Sequence, residues 1–522
     1  MKRLLPIIVL VLLANTLFSQ LVKEGELFKF ESSLISNKEY KRYLLTNNYI
    51  LSNGDILSWR NHLKNQELRI IDPVSGIKLS QFFPLEPKNS FGVYGNLSII
   101  TFDERMLVFD ANASIGEISF FEMYFDTKNQ HNVKHVNLFS TKKKLDDIDK
   151  VSNKISFNGF SIFESPTSNY LGFMYLPLVE GGVNQKEWTA EMVFFDQHFK
   201  KVQELKVAIK GRIVHSVSSD NLLYILSGNS KDREDKGKVY LTRVDIKTGE
   251  IVSNKIDLGV DIRSLSFTKL NDKYLMLVGV YGSTTKLPEG HFNCYLDVAD
   301  LHIISKSYYP YDPEFVVKDA TARWMNELNA AETRGATVPS FIYLLNEILP
   351  SENGGYYLMV EDYFVRTLIN SSSDGFTHSF SSGYTINNTV ISYVDADGVE
   401  VYTVKIPKRL NFLGWDRRWA NPKMVEHNGD LYVIYVDNYS NYNIPINDYK
   451  YMNSKNAGVF ISKINKTGKV QTEYIMGVKD GAMIDISTLR KVNNALIGES
   501  SRLSPFDFGN VKRLNYKITI KK

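Results

Sequence analysis

One hairpin recurs seven times along the chain, and it limits the fold more than any other feature: an apolar run, a turn opening with Asp or Asn, then a second run. It reads RIIDPVSGIKLS from Arg69, MYFDTKNQHNVKHVNL from Met123, VFFDQHFKKVQELKV from Val193 and TRVDIKTGEIVSNKI from Thr242. It returns as CYLDVADLHIISKSYY from Cys294, SYVDADGVEVYTVKI from Ser392 and SKINKTGKVQTEYIM from Ser462. Asp, Asn and Gly at these reversals supply local side-chain hydrogen bonds and tolerate positive φ, as a tight turn needs. A second hairpin precedes each, with turns SNGD (Ser52), FDER (Phe102), SPTSN (Ser165), SSDN (Ser218), LND (Leu270), SENGG (Ser351) and HNGD (His427). With strands lettered A to D, each unit reads A, turn, B, connection, C, turn, D. Four antiparallel strands in a unit of ~45–70 residues is the grammar of a β-propeller blade.

Seven complete units fit between residues 43 and 476. Residues 482–522 add an A strand (MIDISTLR), a B strand (ALIGES) and a C strand (RLNYKITI) without a D, while ELFKFESSLI near the N-terminus is a strand without a unit. Open sheet edges are a liability, so the N-terminal strand is expected to supply the missing D. The expected fold is all-β: a β-propeller of eight four-stranded blades, closed by the N-terminal strand, with residues 20–522 as one domain. A seven-bladed ring with an appended hairpin is the alternative. Residues 312–338 break the strand pattern. Val317, Ala320, Trp324, Leu328 and Ala331 fall on one stripe at helical spacing, which predicts a helical insertion between blades 5 and 6.

Lys2 and Arg3, the apolar run Leu4 to Leu13 and the small Ser19 predict a signal peptide over 1–19, cleaved near Ser19/Gln20. Its removal leaves 60 Lys and Arg (62 − 2) against 58 Asp and Glu. A near-neutral chain without a basic block argues against nucleic acid as a partner. No later stretch approaches the ~18 apolar residues of a spanning helix, so no integral membrane segment is expected in the mature chain. Cys294 is the one cysteine, so no internal disulfide can form. A periplasmic or secreted location is expected.

Several segments carry a likeness to a known group. SENGGYYLMVEDYFVRT, VISYVDADGVEVYTVKIPKR and GDLYVIYVDN, with FESPTSNYLGFMYLPL and AEMVFFDQHFKKVQEL upstream, resemble uncharacterised exported β-propeller-like proteins of Bacteroidota-type bacteria over residues 150–522. The resemblance implies fold and export, and no activity.

Functional expectations rest on where length accumulates. The A–B and C–D turns are short almost throughout. The long segments are B–C connections, including Leu368–Asn387 and Asn438–Asn456, and D–A connections, including Pro407–Asn421. In a propeller these emerge on one face, and repeat proteins put insertions on the binding face. Two segments there are candidates for a protein or glycan partner. YSNYNIPINDYKYMNSKN sets Tyr439, Tyr442, Tyr449 and Tyr451 among Asn residues, rigid aromatic plates beside adaptable hydrogen-bonding groups. LGWDRRWA carries Trp415, Arg417, Arg418 and Trp419, residue types that dominate interface hot spots. Trp324 of the insertion is a further candidate.

Chemistry is harder to find. Asp395, Asp397 and Glu400 lack the remaining ligands of a calcium loop, and His131 and His135 flank a turn, so no metal is expected. DIKTGEIV resembles a quinoprotein repeat, yet Ser253 stands where that repeat has Trp, so no cofactor is expected. An exported binding or scaffold propeller is the first reading. A propeller-type glycan hydrolase with two carboxylates in the central funnel is the alternative.

Overall fold

The computed structural model describes residues 20–35, 45–50, 54–61, 65–84, 98–102, 105–112, 118–126, 134–141, 160–164, 169–175, 187–228, 237–283, 287–320, 325–326, 328–330, 333, 342–371, 378–413, 421–452, 455–492, 495–499 and 512–521. The fold is an all-β propeller whose sheets follow one another along the chain. Blades 1 to 7 are four-stranded and antiparallel: residues 45–84, 98–141, 160–210, 212–257, 262–310, 342–413 and 423–477.

The two chain ends share the eighth blade. Phe28–Ile35 pairs antiparallel with Lys512–Ile520, from Phe28 opposite Ile520 to Ile35 opposite Arg513. Lys512–Ile520 pairs in turn with Ala495–Glu499. The N-terminal strand is therefore the missing D strand, and the seven-bladed alternative falls. Two details depart from expectation. Gln20–Glu24 adds a further strand outside Phe28–Ile35. The expected A strand MIDISTLR is mostly not a strand: Ala482–Met483 pairs parallel with the start of Lys512–Ile520, a 3-10 turn follows at Ile486–Thr488, and the A strand is Arg490–Val492. The Thr488 hydroxyl donates to the Asp485 carbonyl at 2.7 Å, a local bond that competes with the ladder.

The recurrent Asp or Asn works as its spacing implies. Asp72, Asp196, Asp245, Asp395 and Asn465 each accept two backbone N–H bonds on Oδ1 from their own C–D turn, at 2.6 to 3.0 Å. Asp297 accepts one, from Ala299. Three or four residues on, each of these turns passes through positive φ. Glycine fills that position at Gly76, Gly249, Gly398 and Gly468, but Phe199 and Leu301 fill it in blades 3 and 5.

The described residues fall into two compact units. One, Met1–Pro84, Thr284–Pro288 and Tyr311–Lys522, carries blades 6, 7, 8 and 1; the other, Leu85–Ser283 and Glu289–Pro310, carries blades 2 to 5. Within each, sheet faces stack through apolar side chains. In the first, Tyr357, Met359 and Ile391 of blade 6 meet Met424, Leu431 and Phe460 of blade 7. Tyr432, Ile434 and Ile461 of blade 7 cluster with Phe28, Phe30, Tyr516 and Ile518 of blade 8, and Ile497 of blade 8 meets Ile56 and Ile71 of blade 1. In the second, Met192 and Phe194 of blade 3 meet Leu223 and Val244 of blade 4, whose Tyr224 and Leu241 meet Phe267 and Phe292 of blade 5. Central strands are consequently apolar on both faces: Asp430–Asn438 is buried at eight successive residues.

Blade 6 is the exception in length. Its B, C and D strands, Tyr356–Ser371, His378–Val394 and Glu400–Leu413, run 16, 17 and 14 residues. The expected loop Leu368–Asn387 is instead strand for most of its length, paired from Tyr363–Ile386 to Ser371–His378. The expected connection Pro407–Asn421 is strand as far as Leu413. The stretch LINSSSDGFTHSFSSGYTIN is crowded with Ser, Asn, Asp and Gly, a composition that reads in sequence as a loop.

The insertion is helical but broken. Asp312 caps Pro313–Val317, its Oδ1 accepting from the Glu314 N–H at 2.9 Å, with Pro at the first turn. The helix stops at Lys318, and Asp319 has φ 70°. Helical residues resume at 325–326, 328–330 and 333. The break shifts the buried stripe to Val316 and Leu328, while Val317 and Ala320 are only half-buried; Trp324 and Ala331 lie outside the described residues.

Candidate functional site

The tyrosine-rich segment leaves the end of Asp430–Asn438, makes 3-10 turns at Tyr439–Asn441 and Ile446–Asp448, and returns past Met452. Two asparagines, Asn438 and Asn441, hold it in place. Asn438 Oδ1 accepts from the Ser440 N–H (2.9 Å) and hydroxyl (2.8 Å), while Asn438 Nδ2 donates to the Tyr451 carbonyl at 3.2 Å. Asn441 Nδ2 donates to Asp437 Oδ2 (3.0 Å) and the Lys450 carbonyl (2.9 Å), and its Oδ1 accepts from the Lys450 N–H (2.8 Å). Met452 donates its N–H to the Arg409 carbonyl at 2.7 Å and bridges Leu410 in parallel, tying the segment to blade 6. Asn438 and Asn441 are buried structural groups, so Asn441, one of the asparagines read in sequence as adaptable hydrogen-bonding groups, is spent on the loop itself.

The tyrosines divide. Tyr439 packs against the blade 6–7 core, with Lys479 Nζ 5.4 Å from its ring centre. Tyr449 is half-buried, and burial, then the nearby Asp437 carboxyl, raises its pKa. Tyr442 and Tyr451 are the exposed pair, at 36% and 38%. The Tyr442 ring lies 6.2 Å from Phe460 and 6.4 Å from Tyr474, so an apolar base supports its exposed face. Lys479 and Lys23 both sit over Tyr474, at 4.0 and 4.5 Å. Trp415, Arg417, Arg418, Trp419 and Trp324 lie outside the described residues.

Beneath this segment is a layer that sequence reasoning missed. Glu361, Asp362, Lys408, Arg409 and Asp437 are all buried. Glu361 and Asp362 stand in the B strand of blade 6, Lys408 and Arg409 in its D strand, and Asp437 near the end of the blade 7 B strand. The ladder is irregular here: it shifts register between Glu361 and Tyr363 and between Ile386 and Asn388. Lys408 Nζ is ion-paired with Glu361 Oε1. Arg409 is the hub: its backbone N–H donates to Asp437 Oδ1 (2.9 Å), its Nη1 to the Asn387 and Lys408 carbonyls (3.0 Å each), and its Nη2 to the Asp319 carbonyl of the insertion (2.7 Å). Lys405 closes the short helix, donating to the Val316 and Lys318 carbonyls at 3.0 and 2.8 Å over the Phe315 ring.

Burial dominates the electrostatics of this layer. It pushes the Asp362 carboxyl up to about 7 against the opposing pull of Lys405, the Asn388 amide and Arg409. It pushes Asp437 up to about 7 against hydrogen bonds from Arg409 and Asn441. It pulls Lys405 down to about 8, although Asp362 and Asp319 favour its charge. One sequence signal could have found the layer. VEDY and VDN place acids inside strands apolar on both faces, where a charge must be paired.

Elsewhere, Asp297, Asp300 and His302 could each offer a ligand atom within 4.8 Å of the others. These residues already serve their exposed C–D turn, Asp297 bonding Ala299 and Asp300 accepting from His302. The VDADGVE acids likewise form a hairpin turn, Asp395 bonding Asp397 and Val399.

No protein-family model and no curated protein matches the chain. Among solved structures it is similar to the WD40 domain of SCAP from fission yeast, at 8% identity over 96% of this chain and 98% of that one, TM-score 0.40. It is similar to the polysaccharide lyase Uly1 at 12% identity over 83% and 91%, TM-score 0.39. A Synechocystis apocarotenoid oxygenase variant matches at 9% identity over 81% and 85%, TM-score 0.31. At these scores the likenesses say nothing of ligand or activity.

Proposed function

We propose that this chain is an exported binding or scaffold propeller that takes a protein or glycan partner on the surface carrying Tyr442 and Tyr451. The observation that carries the reading is a loop held rigid from beneath while two tyrosine rings face solvent. A loop whose backbone is already fixed loses little entropy on binding, and tyrosine gives large contact area with few rotors. Export rests on the charged and apolar start of the chain, Lys2 to Leu13. Among the described residues no helix is long and apolar enough to cross a membrane.

The hydrolase reading needs two carboxyls that a sugar can reach. Asp362 and Asp437 have raised pKa values suited to acid–base work, but they are 1% and 2% exposed. They serve the scaffold better than a substrate.

The test is capture on a glycan array and from periplasmic or culture fluid, with wild-type protein and the double variant Tyr442→Ala/Tyr451→Ala. Each hot-spot tyrosine lost should weaken binding, at ≥2 kcal/mol, by roughly 30-fold. The melting temperature should fall by only a few degrees, since both rings are partly exposed and Tyr442 loses only its packing on Phe460 and Tyr474. Unchanged capture of every partner by the double variant would place the binding surface elsewhere.

A further inference from the structure

The irregular layer of blade 6 has a second property. Glu361 Oε2, Asp362 Oδ1, both amide atoms of Asn387, Asn388 Oδ1 and Thr389 Oγ1 are buried without a hydrogen-bond partner among the described residues. All five residues are 0% or 1% exposed. Folded proteins leave few such groups, because each forfeits its hydrogen bonds to solvent. Six atoms on five residues of two adjacent strands mark a place built to hold something.

We infer that this layer is an internal hydration site, binding ordered water on both faces of blade 6. Glu361 lies directly opposite Thr389 in the ladder, so the two share a face. Asp362 and Asn388, the next position on each strand, are joined at 3.5 Å and serve the other face. The extra residues at the bulges loosen the ladder locally and give a small guest room.

Charge and donor count select the guest. Glu361 is already neutralised by Lys408, and Asp362 faces Lys405 and Arg409. A divalent cation would add buried charge with nothing left to balance it. Three of the six orphan atoms, on Glu361, Asn387 and Asn388, are acceptors only; Asn387 Nδ2 donates, and the Thr389 hydroxyl and the Asp362 carboxyl can do either. The site needs a small neutral guest with two hydrogens to give and lone pairs to receive. Water has both, and internal waters make about three bonds to groups of this kind.

The experiment is a crystal structure of the wild-type chain at a resolution that shows ordered water. Density is expected within about 3.2 Å of Glu361 Oε2 and Thr389 Oγ1, and a second peak at Asp362 Oδ1 and Asn388 Oδ1. Thr389→Val keeps the side-chain shape and removes the hydroxyl; it should empty or shift the first peak and leave the second. If that variant does not fold, the wild-type density decides alone. The inference is overturned if the layer is dry and the side chains bond one another instead. It is overturned equally by an anomalous peak with oxygen ligands at about 2.4 Å, which would mark a calcium ion.

Discussion

Asp437 sits where a proton is easier to hold than to lose. Its folded-state pKa of about 7 stands above the ordinary 3.8, so between those values the folded chain binds more protons than the unfolded one. Stability from this group is therefore full below about pH 4 and falls as pH rises to about 7. Asp362 acts in the same direction over the same window. Lys405 acts oppositely at higher pH: depressed to about 8, it holds fewer protons folded than unfolded, so stability rises from about 8 towards 10.5. Urea midpoints of the wild type should fall between pH 4 and 7, and Asp437→Asn should have a visibly flatter slope. The variant will start from lower stability, since an amide nitrogen would face the Asn441 donor. Equal slopes would mean that Asp437 titrates normally. None of this was legible residue by residue: the acids in VEDY and VDN are visible in sequence, but their partners come from blade 6 and blade 7 strands far apart in the chain.

At the scale of the element, sequence served the turns best and the long strands worst. The Asp or Asn of each described C–D turn, in blades 1 and 3 to 7, is a local device, its acceptor and donors within four residues, so spacing alone revealed it. Blade 6 failed because Ser, Asn, Asp and Gly crowd Leu368–Asn387, where its B and C strands extend, and nothing local distinguishes that composition from a loop. The insertion was half legible: the stripe predicted a helix, but the left-handed Asp319 that interrupts it carries no sequence mark. The tyrosine segment was located, yet Asn441 within it turned out to be spent on Asp437 and Lys450, because a side chain's partner across a loop cannot be read from composition; Asn443 and Asn447 are exposed. A turn glycine gives a direct check. Gly468 has φ +80°, and a Cβ there would lie 3.0 Å from Tyr402 Cβ and Cγ. Gly468→Ala should cost about 1–2 kcal/mol by chemical denaturation, from the left-handed backbone alone, and more if Tyr402 cannot yield. A neutral result would show that the turn relaxes to another type.

The whole molecule depends on its ends. Phe30, fully buried, stacks on Tyr516 at 6.0 Å, joining the first described strands to the last. Phe30→Ala should lower stability by about 3–5 kcal/mol. Removing Gln20–Glu24, an outer strand whose Val22 is 56% exposed, should cost far less. If the two losses were alike, the seam would not lie between Phe28–Ile35 and Lys512–Ile520. The eight-unit count could be read from sequence because an unmatched strand at one end and an incomplete unit at the other imply each other.

That seam also sets a timetable. Phe28 meets Ile520 across 492 positions (520 − 28). At ribosomal speeds of about 5–20 residues per second, the opening strand waits roughly 25–100 s for a partner that has yet to be made. Until blade 7 and then the last strand are made, Phe28 and Phe30 have no face to cover them, and an unpaired strand of that kind invites association with other chains. A helper that shields the nascent N-terminal segment should therefore raise the yield of folded protein more than one acting on any internal blade, each of which finds all four of its strands within a single stretch of chain.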